Sequence, residues 1–136
     1  MLNRIFNHTD ILEKSLDATW LKMEVSAQNI ANNDTPGYDS KRVDFDERFA
    51  QALKGREGLD LKATNTKHFR LTEPDPRSVT PRVVSNTHYV ARMDDNNVDI
   101  DQEMVDMAKN TIQYNAMVQK VNSEFARLKL AIRGGT

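Results

Sequence analysis

The apolar positions in the last third of the chain repeat by sevens. Between Asp99 and Ile132, Ile100, Met107, Tyr114, Val121 and Leu128 share one heptad position, and Met104, Thr111, Val118, Phe125 and Ile132 share the other. All but Thr111 are apolar or aromatic, and the stretch holds neither Gly nor Pro. A repeat of about 3.5 residues kept over four heptads is the pattern of a helix that supercoils on other helices, because an ordinary surface helix drifts off that register. At about 1.5 Å per residue it is a rod of roughly 50 Å, too long for a small domain to wrap. It requires a partner helix. A flanking stripe, Ala108, Ile112, Ala126 and Leu130, would be left uncovered by one partner, so the pattern predicts contacts between subunits as well as within one.

The other end of the chain offers the first partner. Leu12, Leu16, Thr19, Met23, Ser26 and Ile30 repeat at 4-3-4-3-4, Trp20, Ala27 and Ala31 widen the stripe, and Ile11, Ala18, Leu21 and Val25 lie to one side. Two apolar faces predict more than one neighbour. Asp10 and Glu13 have the spacing of a capping box, which predicts a helix start at Asp10. Pro36 disfavours helical geometry at Thr35 and Gly37 permits a tight turn, so the helix stops by Asn33. The seam residues expected to carry packing and assembly are Leu12, Leu16, Met23 and Ile30 on this helix. On the last helix they are Met104, Met107, Tyr114, Val118, Val121, Phe125, Leu128 and Ile132.

Between the helices the pattern weakens. Asp44 and Glu47 repeat the capping-box spacing, and Phe45, Phe49 and Leu53 follow at i, i+4, i+8, predicting a short helix from about Phe45 to Lys54 ended by Gly55 and Gly58. From Leu59 to Asn97, Pro74, Pro76 and Pro81 interrupt a polar stretch whose brief β-type runs, Leu59–Ala63, Phe69–Leu71 and Val79–Val84, allow at most a small hairpin. The predicted fold is mainly α. Residues 1–33 and 99–136 form one coiled-coil-like helical domain, and 34–98 an irregular, partly mobile connection with a short helix near 45–54.

Composition then removes function classes. Nineteen Lys and Arg against 20 Asp and Glu leave no single-sign field for nucleic acid or an anionic membrane. No cysteine means no disulfide, thiolate zinc site or cysteine nucleophile. Met1 to Asn7 lacks the apolar core of a cleavable secretory signal, and no stretch approaches the roughly 20 apolar residues of a membrane span. His8, His68 and His88 have no second ligand or nucleophile at a useful spacing. No phosphate loop, nucleophile elbow or HExxH occurs. A calcium loop begun at Asp95 places Ile100 where Gly is needed, so Asp99 is better read as a helix cap with Gln102 at the third helical position, and Asp101 and Glu103 favour the positive end of the dipole. No enzyme, cofactor or metal is implied. What remains is assembly.

Several segments together resemble one family. Ala31-Asn32-Asn33-Asp34-Thr35-Pro36-Gly37-Tyr38, just after an N-terminal helix, resembles the signature of the bacterial flagellar rod, hook and hook-associated proteins. Asn96-Asn97-Val98-Asp99-Ile100-Asp101-Gln102-Glu103-Met104 resembles the lead into the family's C-terminal helix, although many members have Gly-Asn at Asn96-Asn97. Tyr114-Asn115-Ala116 and Leu128-Lys129-Leu130-Ala131-Ile132 resemble its tail. The chain lacks the large insert of distal-rod and hook members and so is most similar to the short proximal-rod members. Its uninterrupted turn into Tyr38, followed by Val43-Asp44-Phe45, differs from FlgC, which tends to carry an insertion there.

The resemblance implies a structural subunit whose terminal helices pack as a coiled coil, exported by the flagellar type III apparatus without a cleavable signal peptide. It implies a place in the periplasmic rod of the basal body, with copies of itself, FlgC and FliE as neighbours, and no nucleic acid or small-molecule substrate. A cytoplasmic coiled-coil adaptor or export chaperone is the alternative, but it has no need of the Asn33–Tyr38 turn.

Overall fold

The computed structural model describes residues 2–55, 75–86 and 92–134, with side chains of the first helix described from Thr9 onward. Helix α1 spans Leu2–Ala31, strand β1 Lys41–Asp44, helix α2 Asp46–Gly55, a 3₁₀ turn Pro76–Ser78, strand β2 Arg82–Ser85 and helix α3 Ile100–Ile132. The architecture is mainly helical, with the two long terminal helices packed on each other and a small middle unit on their flank.

The two long helices run antiparallel. Asn29, near the end of α1, bonds Glu103, near the start of α3. Helix α3 begins where the cap signal places it: Asp99 Oδ1 accepts from the backbone N–H groups of Asp101 and Gln102, each at 3.1 Å, satisfying two of the free donors of the first turn. Helix α1 begins eight residues before the expected Asp10. Leu2 to Thr9 contains no Gly or Pro, so the chain meets no breaker, and the Asp10–Glu13 pair lies inside the helix.

The middle unit docks on the second face of α1. Ala18, Phe45, Ala52 and Val79 form a buried cluster with Val43 and Phe49 packed against it, and the Phe45 and Phe49 rings stack at 4.7 Å. The small Ala18 and Ala52 side chains leave room in this cluster for the Phe45 ring. The short helix is present, but Asp44 does not cap it. Asp44 closes β1 opposite Arg82, and Phe45 takes the position before the first turn, its carbonyl accepting from Phe49 N–H at 2.9 Å. Asp46 and Glu47 occupy the first turn, where their charge suits the dipole.

The middle segment holds the small antiparallel strand pair expected of it, but its two strands are far apart in sequence. Strands β1 and β2 pair antiparallel with Lys41 opposite Ser85 and Asp44 opposite Arg82, so only Arg82–Val84 of the Val79–Val84 run is strand, and it pairs with a segment before α2. The expected runs Leu59–Ala63 and Phe69–Leu71 lie outside the described residues.

Candidate functional site

Two features stand out: a polar clasp at the end where α1 turns and α3 begins, and the apolar faces of the long helices. The clasp is built from amides. Helix α1 ends at Ala31, and the carbonyls of the turn that follows lie beyond the regular helix ladder and take donors from elsewhere. Asn96, fully buried, supplies one: its Nδ2 donates to the carbonyls of Asn32 at 3.0 Å, Asn33 at 2.9 Å and Thr35 at 2.8 Å. Its Oδ1 accepts from Val98 N–H at 2.8 Å, so every polar atom of a desolvated amide is used. Gly37, at φ 67°, turns the chain so that its N–H meets the Asp94 carbonyl at 2.8 Å. Asp95, at φ 60°, makes the matching reversal on the other side.

Asn29 is the second fully buried amide. Its Nδ2 donates to the Lys41 carbonyl and to Glu103 Oε1, both at 2.7 Å, and its Oδ1 accepts from Lys41 N–H at 2.9 Å and from the Tyr38 hydroxyl at 3.3 Å. One side chain thus ties α1, β1 and α3. Asn97 Oδ1 accepts from Ser40 N–H and its Nδ2 donates to the Asn86 carbonyl, tying the turn before β1 to the end of β2. Burial and the nearby Glu103 charge raise the Tyr38 phenol above its ordinary value.

The signature Ala31 to Tyr38 is therefore half of a lock. The carbonyls of Asn32, Asn33 and Thr35 face Asn96, while Ala31, Asp34, Thr35, Pro36 and Gly37 lie exposed and Asn32, Asn33 and Tyr38 are half-buried. The sequence pattern singles out Asn96 only as part of the lead into α3, and Asn29 not at all. The available signal was an Asn within the last turn of an amphipathic helix, where an amide is a poor helix former unless its side chain has work elsewhere.

The packing residues divide into two groups. Leu12, Leu16, Met23 and Ile30 of α1, and Met107, Tyr114, Val118, Val121 and Leu128 of α3, are half-buried. Met104, Phe125 and Ile132 are exposed, at 58, 53 and 84%. Within the chain, the less exposed line beside Met107, Tyr114, Val121 and Leu128 is Glu103, Asn110, Met117 and Glu124, one residue earlier than the apolar one. Of the apolar line, the ends Met104, Phe125 and Ile132 turn outward while Thr111 and Val118 are half-buried, and Ala108, Ile112, Ala126 and Leu130 of the flanking stripe are exposed.

A concavity between the helices has mixed charge. A groove of about 250 Å³ between α1, β1 and α3 is lined in part by Lys22, Arg42, Asp46, Glu103 and Asp106, and Lys22 and Asp46 pair across it at 2.6 Å. Charges of both signs that neutralise one another give no field for a charged ligand. Among the described residues no group of three or more His, Cys, Asp or Glu could hold a metal ion, and Asp99, once weighed as a calcium ligand, is committed to capping α3. No helix among the described residues is long and apolar enough to cross a membrane.

No family model matches the chain. It is 38% identical over 125 residues to the flagellar basal body rod protein FlgB of Bacillus subtilis, a match covering 91% of this chain and 92% of that one. The chain belongs to the FlgB family of flagellar basal body rod proteins. FlgB of Proteus mirabilis is 29% identical over 139 residues, 99% of this chain and the whole of that protein, and FlgB of Salmonella typhimurium is 28% identical over 142 residues, 99% of each. The FlgB relatives are matched from end to end, so the likeness takes in the middle segment as well as the two terminal motifs.

Proposed function

We propose that this FlgB-family chain is a non-catalytic structural subunit of the proximal rod of the flagellar basal body, assembling through coiled-coil packing of its terminal helices. The observation that carries the reading is the set of large apolar side chains on α3 that the chain's own α1 leaves exposed: Met104, Phe125 and Ile132 at the two ends of the seam, and Ile112 and Leu130 on the flanking stripe. Exposed apolar surface of this extent along one helix is a cost in water that a neighbouring helix removes. The clasp supports the same reading, because Asn29 and Asn96 fix the register of the helix pair and so define one rod-shaped unit to be added to the assembly. Family membership makes other rod proteins natural neighbours. On this reading they are further copies of the chain, FlgC and FliE, and the subunit reaches the periplasm by the flagellar export apparatus.

The test is genetic and biochemical. Cells lacking the gene should build no complete rod or hook, and a tagged chain should sediment with purified basal bodies. Complete rods in the deletion strain would sink the reading, and a tagged chain found only in the cytosol would favour an adaptor.

A further inference from the structure

The outer face of α1 carries a line that neither α3 nor the middle unit covers. Glu13, Asp17, Trp20, Glu24, Ala27 and Ala31 repeat at 4-3-4-3-4, and all six are exposed. Trp20, the one tryptophan of the chain, is 55% exposed in the middle of three carboxylates that have no basic partner among the described residues. A large aromatic flanked by charge and followed by small residues suits a helix–helix contact, the aromatic as anchor and the alanines as the place of close approach.

A surface of opposite character lies at the far end of α3. Phe125 and Ile132 share one face and are exposed at 53 and 84%, Lys129 lies between them and Arg133 at the edge, and both cations are exposed with no carboxylate partner among the described residues. Apolar groups rimmed by two cations fit an aromatic rimmed by carboxylates. Within one chain both faces remain open, so they are not satisfied by each other.

We infer that the acidic Trp20 face of α1 docks on the basic apolar end of α3 in a second copy of this chain. The contact joins two different surfaces, so a pair of copies keeps one free face of each kind. Such a heterologous contact adds subunits head to tail and generates a ring or an open helix according to its rotation. The inference rests on the rod reading for its setting, and names the faces that meet.

The wild-type full-length chain is tested first, by sedimentation equilibrium over a concentration series with Trp20 emission recorded alongside. Mass should rise with concentration, emission should shift to the blue as the indole leaves water, and added salt should weaken both. A chain that stays monomeric to about 1 mM, or that associates with no change in Trp20 emission, overturns the inference.

Charge reversal then separates the two faces. Asp17→Lys with Glu24→Lys, or Lys129→Glu with Arg133→Glu, should each weaken self-association about tenfold or more, since like charges then face each other. Circular dichroism of each variant should be unchanged, because all four side chains are exposed. Mixing the two variants should restore association to within a few-fold of wild type, because each then offers the face that the other needs. Reversals without effect, or losses that mixing does not repair, overturn the second copy as occupant. Basal-body incorporation is a separate readout: wild type absent from basal bodies fails the rod reading, whereas normal incorporation of both reversed variants fails only this contact.

Discussion

The side-chain amide of Asn96 and the carbonyl of Thr35 meet at 2.8 Å across 61 residues of sequence. Through this bond and its two companions, the turn that ends α1 is held by the segment that starts α3. The local signals at each end are thereby converted into one joint.

Asn96→Ala should destabilise the isolated chain by about 1–3 kcal/mol, because the buried Val98 N–H loses its acceptor and the Asn32, Asn33 and Thr35 carbonyls lose a shared donor. Asn96→Asp should cost more, because a carboxylate would then face three carbonyl oxygens. Urea unfolding followed by circular dichroism measures both. Equal midpoints for the two variants would contradict the account of this amide.

Val118→Asp and Phe125→Asp separate packing inside the chain from packing between chains. Val118 is half-buried, and a charge there should cost roughly 2 kcal/mol or more in the isolated protein. Phe125 is 53% exposed, so its replacement should change that stability by about 0.5 kcal/mol or less and still prevent incorporation into basal bodies. Thermal melts together with a motility assay read the two effects. Normal swimming by the Phe125→Asp strain would remove this face from the assembly.

Ala18→Leu should cost about 1–3 kcal/mol, since Ala18, 1% exposed against Phe45, Ala52 and Val79, has no room for added methyl groups. The loss should fall first on the middle unit. Hydrogen exchange should show β1 and α2 losing protection before α3 does.

Tyr38 makes stability fall at high pH. Its phenol is raised above 10.0 by burial and by Glu103. In the unfolded chain it ionises near 10.0, while in the folded chain it keeps its proton to higher pH. The stabilisation is therefore complete below 10.0 and is lost as pH rises through the folded value. Tyr38→Phe should lose less stability than wild type between pH 9 and about 11. Glu103→Gln should move the phenol back toward 10.0 in a pH titration of the tyrosine absorbance. Identical pH slopes for wild type and Tyr38→Phe would show that Tyr38 is not the group responsible.

The long helices were legible because their signals are local. Heptad spacing, the Asp99 cap and the Pro36-Gly37 stop act within a few residues, and the helix end at Ile132 and the short helix after Phe45 follow from the same rules. The start of α1 was misplaced because a capping-box spacing does not end a helix that meets no breaker before it. Tertiary structure decided the rest. A period of about 3.5 says which residues share a face, but moving one residue along a helix rotates the face by about 100°, so periodicity alone could not choose between Met104, Phe125 and Ile132 and the line of Glu103, Asn110, Met117 and Glu124. That choice was made where Asn29 draws Glu103 toward α1 and β1, because a buried amide must be satisfied and an exposed methyl group need not be. The pairing of β1 with β2 and the grip of Asn96 on the end of α1 were likewise invisible to local rules, since both join residues that only the folded chain brings together.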